Sequence, residues 1–249
     1  MQKINISAVS YLNTFPFIYG LKNSKIINSI NLNLDIPSIC AEKLLTNKVD
    51  IGLVPVAILP KLKNYSIISD YCIGANGNVK SVLIVSNKPI EKIKTIYLDY
   101  QSRTSVNLAK VLAKHYWKKD FNWLPTQQGY ENQILDENSA AVIIGDRAFQ
   151  FLNKFQYQYD LSEYWKKLTG LPFVFAAWVA NKEIDSEFIN EFNKALSGGL
   201  NQIDNITQNN IIKFPYYDLK EYYTQNICYH FNKDKNKALQ LFLKYLNEE

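Results

Sequence analysis

Asp99-Tyr100-Gln101-Ser102-Arg103-Thr104-Ser105 gathers a carboxylate, a guanidinium and three small hydroxyls into seven positions. Ahead of it, Thr95 to Leu98 reads as a short buried strand. Behind it, Val106, Ala109, Leu112, Ala113 and Tyr116 recur at helical spacing. Ser102 is therefore the candidate N-cap, with Arg103, Thr104 and Ser105 in the first turn. A helix start carries unpaired backbone N–H groups and partial positive charge. With hydroxyls and a guanidinium beside it, such a start is a candidate seat for a carboxylate or phosphate. The competing reading is a well-capped helix with Arg103 in solvent.

Other polar turns follow apolar runs in the same way. Ile4, Ile6 and Ala8 alternate as a first strand and lead into Ser10-Tyr11-Leu12-Asn13-Thr14, a loop entering a helix with Pro16 in its first turn. Leu32, Leu34 and Ile36 form a second strand, and a helix from Pro37-Ser38 through Leu45 takes Ser38 as its cap. Val49 to Val54 is a third strand, ending at Pro55. Gly74-Ala75-Asn76-Gly77-Asn78 is turn chemistry, and Val79 to Val85 is a strand carrying Ser81. Ala140 to Ile144 ends in Gly145-Asp146, and a helix is expected near Leu161 to Leu168. Pro172 to Val179 is an aromatic-rich strand, after which the pattern becomes purely helical.

Short strands alternating with helices predict an α/β protein with parallel sheets. The terminal helices have no new strands to cover, so they are expected to return to the first lobe. Residues 1–86 and 180–249 then form a discontinuous first lobe and residues 87–179 a second, with hinge crossovers near Val85-Ser86-Asn87 and Ala177 to Ala180. Two lobes joined twice make a clamp, and the loops at 10–14, 55–57, 74–79, 101–105 and 145–147 all follow strands and converge on a central cleft.

Composition narrows the class. The chain is 47% hydrophobic, enough for a real core. No apolar run reaches the roughly 18 residues of a membrane span. The opening segment lacks the apolar core and cleavage site of a signal peptide, so a cytoplasmic location is expected. Cys40, Cys72 and Cys228 have no paired spacing and fit reduced thiols. His115 and His230 are the two histidines, neither with a ligand-like partner, so no metal site is expected. The net charge of +5 comes from scattered lysines, which argues against nucleic acid and is compatible with an anionic small ligand.

Six segments, taken in order, resemble one family. They are Ser10 to Thr14 with Pro16, Asp50 to Pro55, Gly74 to Leu83, Ser102 to Val106, Ile144-Gly145-Asp146, and Thr169 to Ala176. Together they resemble chorismate dehydratases of the futalosine route to menaquinone, over about residues 4 to 181. The resemblance implies a two-lobed type II periplasmic-binding-protein-like fold and a cofactor-independent hydro-lyase. It would convert chorismate to 3-[(1-carboxyvinyl)oxy]benzoate and water. Ser162 stands where the family pattern has glycine. The sister 1,4-dihydroxy-6-naphthoate synthase has a catalytic histidine that this chain does not place in a motif. A non-catalytic solute-binding protein of the same fold is the other alternative. A regulator's effector domain would need a helix-turn-helix ahead of the first strand.

For such a substrate, loss of the C4 hydroxyl and the C3 hydrogen aromatises the ring. The C3 hydrogen is conjugated to the ring carboxylate, so its removal places charge there. Ser102, Arg103, Thr104 and Ser105 would hold one carboxylate. Asn13 and Ser10 would bind the other carboxylate or the departing hydroxyl, with helix capping the competing reading of Asn13. Tyr11 would line the cleft or simply pack. Gly74, Ala75 and Gly77 would bring backbone N–H groups close to the ligand, or serve a tight turn. Ser81 would point a hydroxyl inward. Leu171, Pro172 and Phe173 would wall the ring. Asp146 is the candidate general base or hydroxyl anchor, with N-capping as its alternative. The substrate's own enolpyruvyl carboxylate is the other candidate base.

Overall fold

The computed structural model describes residues 3–130, 136–209 and 214–248. Two sheets organise them. In the first, β1 (Ile4–Val9) lies between β2 (Ile30–Asp35) and β3 (Ile51–Pro55), parallel to both. β10 (Phe173–Ala180) fills the space between β3 and β4 (Ser66–Ala75), antiparallel to each, and β11 (Cys228–His230) closes the edge on β4. In the second, β6 (Thr95–Leu98) runs parallel to β7 (Asn122–Pro125) and β8 (Ser139–Ile144). β5 (Val82–Ser86) pairs antiparallel with β8 and β9 (Tyr157–Asp160).

The apolar runs explain the layering. All eight residues of β10 and all five of β3 are buried, as expected of central strands covered on both faces. The edge strand β2 turns Asn31, Asn33 and Leu34 to water, while its Asp35 is tied to Lys43 and Ser7. Helices complete the layers: α1 (Phe15–Lys22), α2 (Pro37–Leu45), α3 (Thr104–Leu112), α4 (Leu161–Thr169), α5 (Ser186–Leu200), α6 (Ile203–Gln208), α7 (Leu219–Glu221) and α8 (Lys233–Asn247). Capping side chains start several of them. Asp160 accepts from the N–H groups of Ser162 and Glu163, Asp185 from those of Glu187 and Phe188, and Asn232 from that of Lys235.

Several expectations change. The sheets are mixed rather than parallel, because the chain returns through β10 in the opposite sense. β5 belongs to the second sheet and β10 to the first. The passages between sheets therefore run through residues 76–81 and between β9 and β10, not through Val85-Ser86-Asn87 and Ala177 to Ala180. β1, β2, β3, β5, β6, β8 and β10 were legible as strands, whereas β4, β7 and β9 were not; the sheet each strand joins was not legible either, since pairing is set by partners distant in sequence. The first passage is pinned by Asp160, which also accepts from Val79 N at 2.8 Å and Lys80 N at 2.7 Å while Lys80 sits at φ +64°. The helical tail contributes β11, whose three residues are too few to show a period. Ser38 does not cap α2, which begins at Pro37 with no side-chain cap. The helix through Tyr116 ends as α-helix at Leu112 and continues as a π-turn over Ala113–Trp117, where His115 stacks on Tyr245 at 4.3 Å.

Candidate functional site

Between the carboxyl ends of both sheets lies a cavity. Val9, Pro55, Ile73, Phe175 and Ala176 face it from the first sheet, Val82 and Ile144 from the second. Six expected residues also line it: Tyr11, Asn13, Ser81, Ser102, Thr104 and Ser105. Its enclosed volume is about 60 Å³, within about 520 Å³ of atom-free space that opens to solvent. No lysine or arginine stands among the described residues that line it. Its polarity comes from hydroxyls, one amide and the start of α3.

That helix start departs from the expectation by one residue: Arg103, not Ser102, holds the N-cap position, with no side-chain cap of its own. Ser102 Oγ accepts from Ser105 N at 3.0 Å, although the helical backbone begins at Thr104. All three hydroxyl residues are buried. Thr104 reaches across the gap, its Oγ1 accepting from Ala57 N, just beyond β3, at 3.2 Å. The first loop crosses the same gap. The Leu12 N–H donates to both carboxylate oxygens of Asp146, at 3.0 and 3.2 Å. The Tyr11 hydroxyl donates to Gln101 Oε1, and its ring lies against Gly145. Gly145 is at φ +65°, and a Cβ there would come within 2.7 Å of the Tyr11 ring.

Beneath the loops lies a charged cluster that sequence reasoning missed. Asp99 accepts from Arg147 Nη2 at 2.6 Å, Tyr130 OH at 2.9 Å, Gln101 N at 2.9 Å and Ile144 N at 3.3 Å. Arg147 also lies over the Tyr100 ring, 5.2 Å from its centroid. Burial pushes the Asp99 carboxyl up, against the pull of Arg147 and the hydrogen bonds. Burial first, then the Asp99 charge, pushes Tyr11 well above the ordinary tyrosine range, so its hydroxyl is neutral and a donor. The guanidinium that matters to the loop is thus Arg147, directly after the Gly145-Asp146 pair, rather than Arg103.

The remaining candidates fall elsewhere. Arg103 is exposed and outside the lining. Ser10 is exposed as well, its N–H held by the Asp35 carbonyl at 2.9 Å. Asp146 neither caps its own turn nor faces the cavity; it ties down the Leu12 N–H that opens the first loop's helical turn. Burial pushes its carboxyl up to about 6 against that one hydrogen bond. Gly74 is needed for strand packing, because a Cβ there would come within 2.6 Å of the Phe173 carbonyl oxygen. Ala75 pairs with Phe173 inside the sheet. Gly77 serves its turn at φ +119°. Leu171 and Pro172 line an outer groove, and Phe173 packs against Trp165, Phe175 and Phe242 in the core. The aromatic wall is instead Phe175, two residues further along the same strand face.

Among the described residues no cluster of His, Cys, Asp or Glu gathers to hold a metal ion. No described helix is long and apolar enough to cross a membrane.

Two mixed sheets joined by two passages, with a polar-lined gap between them, define a periplasmic-binding-protein-like fold. The backbone superimposes on a Candida albicans gene product described as exhibiting the generic periplasmic binding protein structural fold. The TM-score is 0.64 with 10% identity, covering 100% of this chain and 91% of that one. Residues 4–248 match the family described as menaquinone biosynthesis, and the chain belongs to that family. It is 29% identical to the chorismate dehydratase of Campylobacter jejuni subsp. jejuni over 95% of this chain and 94% of that protein. It is 23% identical to the chorismate dehydratase of Thermus thermophilus, over 85% and 84% respectively.

Proposed function

We propose that the protein dehydrates chorismate to 3-[(1-carboxyvinyl)oxy]benzoate, and that the reaction takes place in the cavity between the sheets. The observation carrying this reading is a neutral, hydroxyl-lined pocket at a helix start, in a chain whose two named relatives are chorismate dehydratases. A doubly charged ring acid needs donors at both carboxylates. Ser102, Thr104, Ser105 and the first turn of α3 supply one set, with fixed dipoles that need no reorganisation as charge develops. Asn13 and Ser81 supply the other, near the departing C4 hydroxyl. Phe175, Ile144 and Val82 give the ring an apolar bed.

The C3 proton needs an acceptor, and the lining holds no carboxylate or histidine among the described residues. Asp146 stands outside that lining and accepts from the Leu12 N–H. We assign the proton to the substrate's own enolpyruvyl carboxylate, within a clamped conformation that brings it over C3. The C3–H pair then forms a ring double bond as the C4–O bond breaks, and water leaves with the transferred proton. The chain's residues position and polarise; aromatisation drives the step. A lyase of this kind needs no group beyond those of the chain.

The test is direct. Purified protein mixed with chorismate is followed by proton NMR. Appearance of a meta-substituted aromatic acid with loss of the cyclohexadiene signals is expected. Saturable chorismate binding without product would instead identify a non-catalytic binding protein of this fold.

A further inference from the structure

Tyr222 is a fully buried polar group behind the cavity wall, bonded to a residue that lines it. It opens a π-turn, Tyr222–Asn226, in the C-terminal segment, and none of its surface is exposed. Its hydroxyl donates to Ser81 Oγ at 2.8 Å. The Asn13 side chain lies close enough to act on the same hydroxyl. Asn13 in turn accepts from Thr14 Oγ1 through its Oδ1 at 3.1 Å, which leaves its amide N–H groups to act as donors. The phenol thus sits behind the wall, bonded to Ser81 of the inter-sheet passage and near Asn13 of the first loop. Edge-to-face packing of the Tyr222 ring on Phe149, at 4.9 Å, fixes where that phenol can be.

Ser81 has accepted from Tyr222, and its own O–H donates to no described protein group. The cavity is the open side left to it. A hydroxyl that accepts a hydrogen bond is itself a stronger and better-aimed donor. We infer that Tyr222 is a positioning residue, which acts through Ser81 by holding that hydroxyl in the orientation that donates to the ligand. Resting on the dehydratase reading above, the contact it supports is the one to the departing C4 hydroxyl, where donation helps the C–O bond break.

The test is a double-mutant cycle on chorismate turnover. Tyr222→Phe keeps the ring packing and removes one hydroxyl. It should lower kcat about 10-fold or more and leave KM within about threefold, because the lost interaction matters most as the bond breaks. Ser81→Ala should cost at least as much. The pair combined should be no slower than Ser81→Ala alone within about twofold, since Tyr222 has nothing left to act through. Multiplying losses, or a Tyr222→Phe enzyme with wild-type kcat, would overturn the inference. If Tyr222→Phe does not fold, 3-fluorotyrosine at position 222 reads the same coupling. A stronger donor there should change kcat at least twofold, and should do nothing in the Ser81→Ala background; no change in either background would refute it. Failure of the functional reading is separable. If the wild-type protein binds chorismate without converting it, the same cycle read on Kd tests the coupling alone. A protein that neither binds nor converts it sinks both ideas.

Discussion

At the scale of single residues, the division is between groups that face the cavity and groups that only sit near it. Arg103 is exposed beside the start of α3, and nothing in the lining depends on it. Arg103→Ala should leave kcat/KM within about twofold of wild type; a 100-fold loss would return it to the site. Asp146 gives a sharper case. Its folded pKa, about 6, lies above its ordinary value of 3.8. A group raised in this way contributes stability that is fully present below 3.8 and is lost as pH rises through 6. Relative to Asp146→Asn, the wild-type protein should therefore gain about 1 kcal/mol between pH 7 and pH 5, read by urea unfolding at both values. A constant difference would mean an ordinary, well-solvated carboxylate. The hydroxyls of Ser102, Thr104 and Ser105 were legible because a cap announces itself locally. Asp146 and Arg147 were not, because their partners, Leu12 and Asp99, lie 134 and 48 residues away.

At the scale of elements, backbone approach decides what can change. Gly20 of α1 and Gly199 of α5 face each other so closely that a Cβ on Gly199 would overlap the Pro16 carbonyl oxygen, and one on Gly20 the Ala195 carbonyl oxygen. Within an isolated helix, Gly199→Ala would favour the fold by up to about 1 kcal/mol. Here the obstacle is backbone, which cannot rotate away, so the two helices must part. The net loss should be about 2 kcal/mol, seen as a melting temperature lower by roughly 4–8 °C. An unchanged or higher melting temperature would show that the helices are not in contact. This contact positions the first loop, since α1 follows it directly. Most strands and the long helices were readable from their apolar runs and periods, whereas β4, β7 and β9 were not. The short β11 and the antiparallel return of β10 were not, because strand pairing depends on the whole sheet rather than on any window of sequence.

At the scale of the whole molecule, the two sheets are held together by Leu12 on Asp146, Ala57 on Thr104, and Tyr11 on Gln101 and Gly145. The enclosed space of about 60 Å³ is smaller than the roughly 150 Å³ that accepts one benzene ring. A ring acid needs more room than this, so its binding has to widen the gap that these ties span. On the proposed mechanism, closing over the substrate would order the enolpyruvyl arm and shut out water, which an intramolecular proton transfer requires. The two-lobed plan was legible from alternating strands and helices, while the ties that close it join residues no sequence window contains. The most direct measurement of the account is a crystal structure of the protein with 3-[(1-carboxyvinyl)oxy]benzoate bound. We expect the product between the two sheets, its ring on Phe175 and one carboxylate within about 3 Å of the Ser102, Thr104 and Ser105 donors. Product bound at Arg103, in the outer groove of Leu171 and Pro172, or anywhere else outside the gap would contradict it.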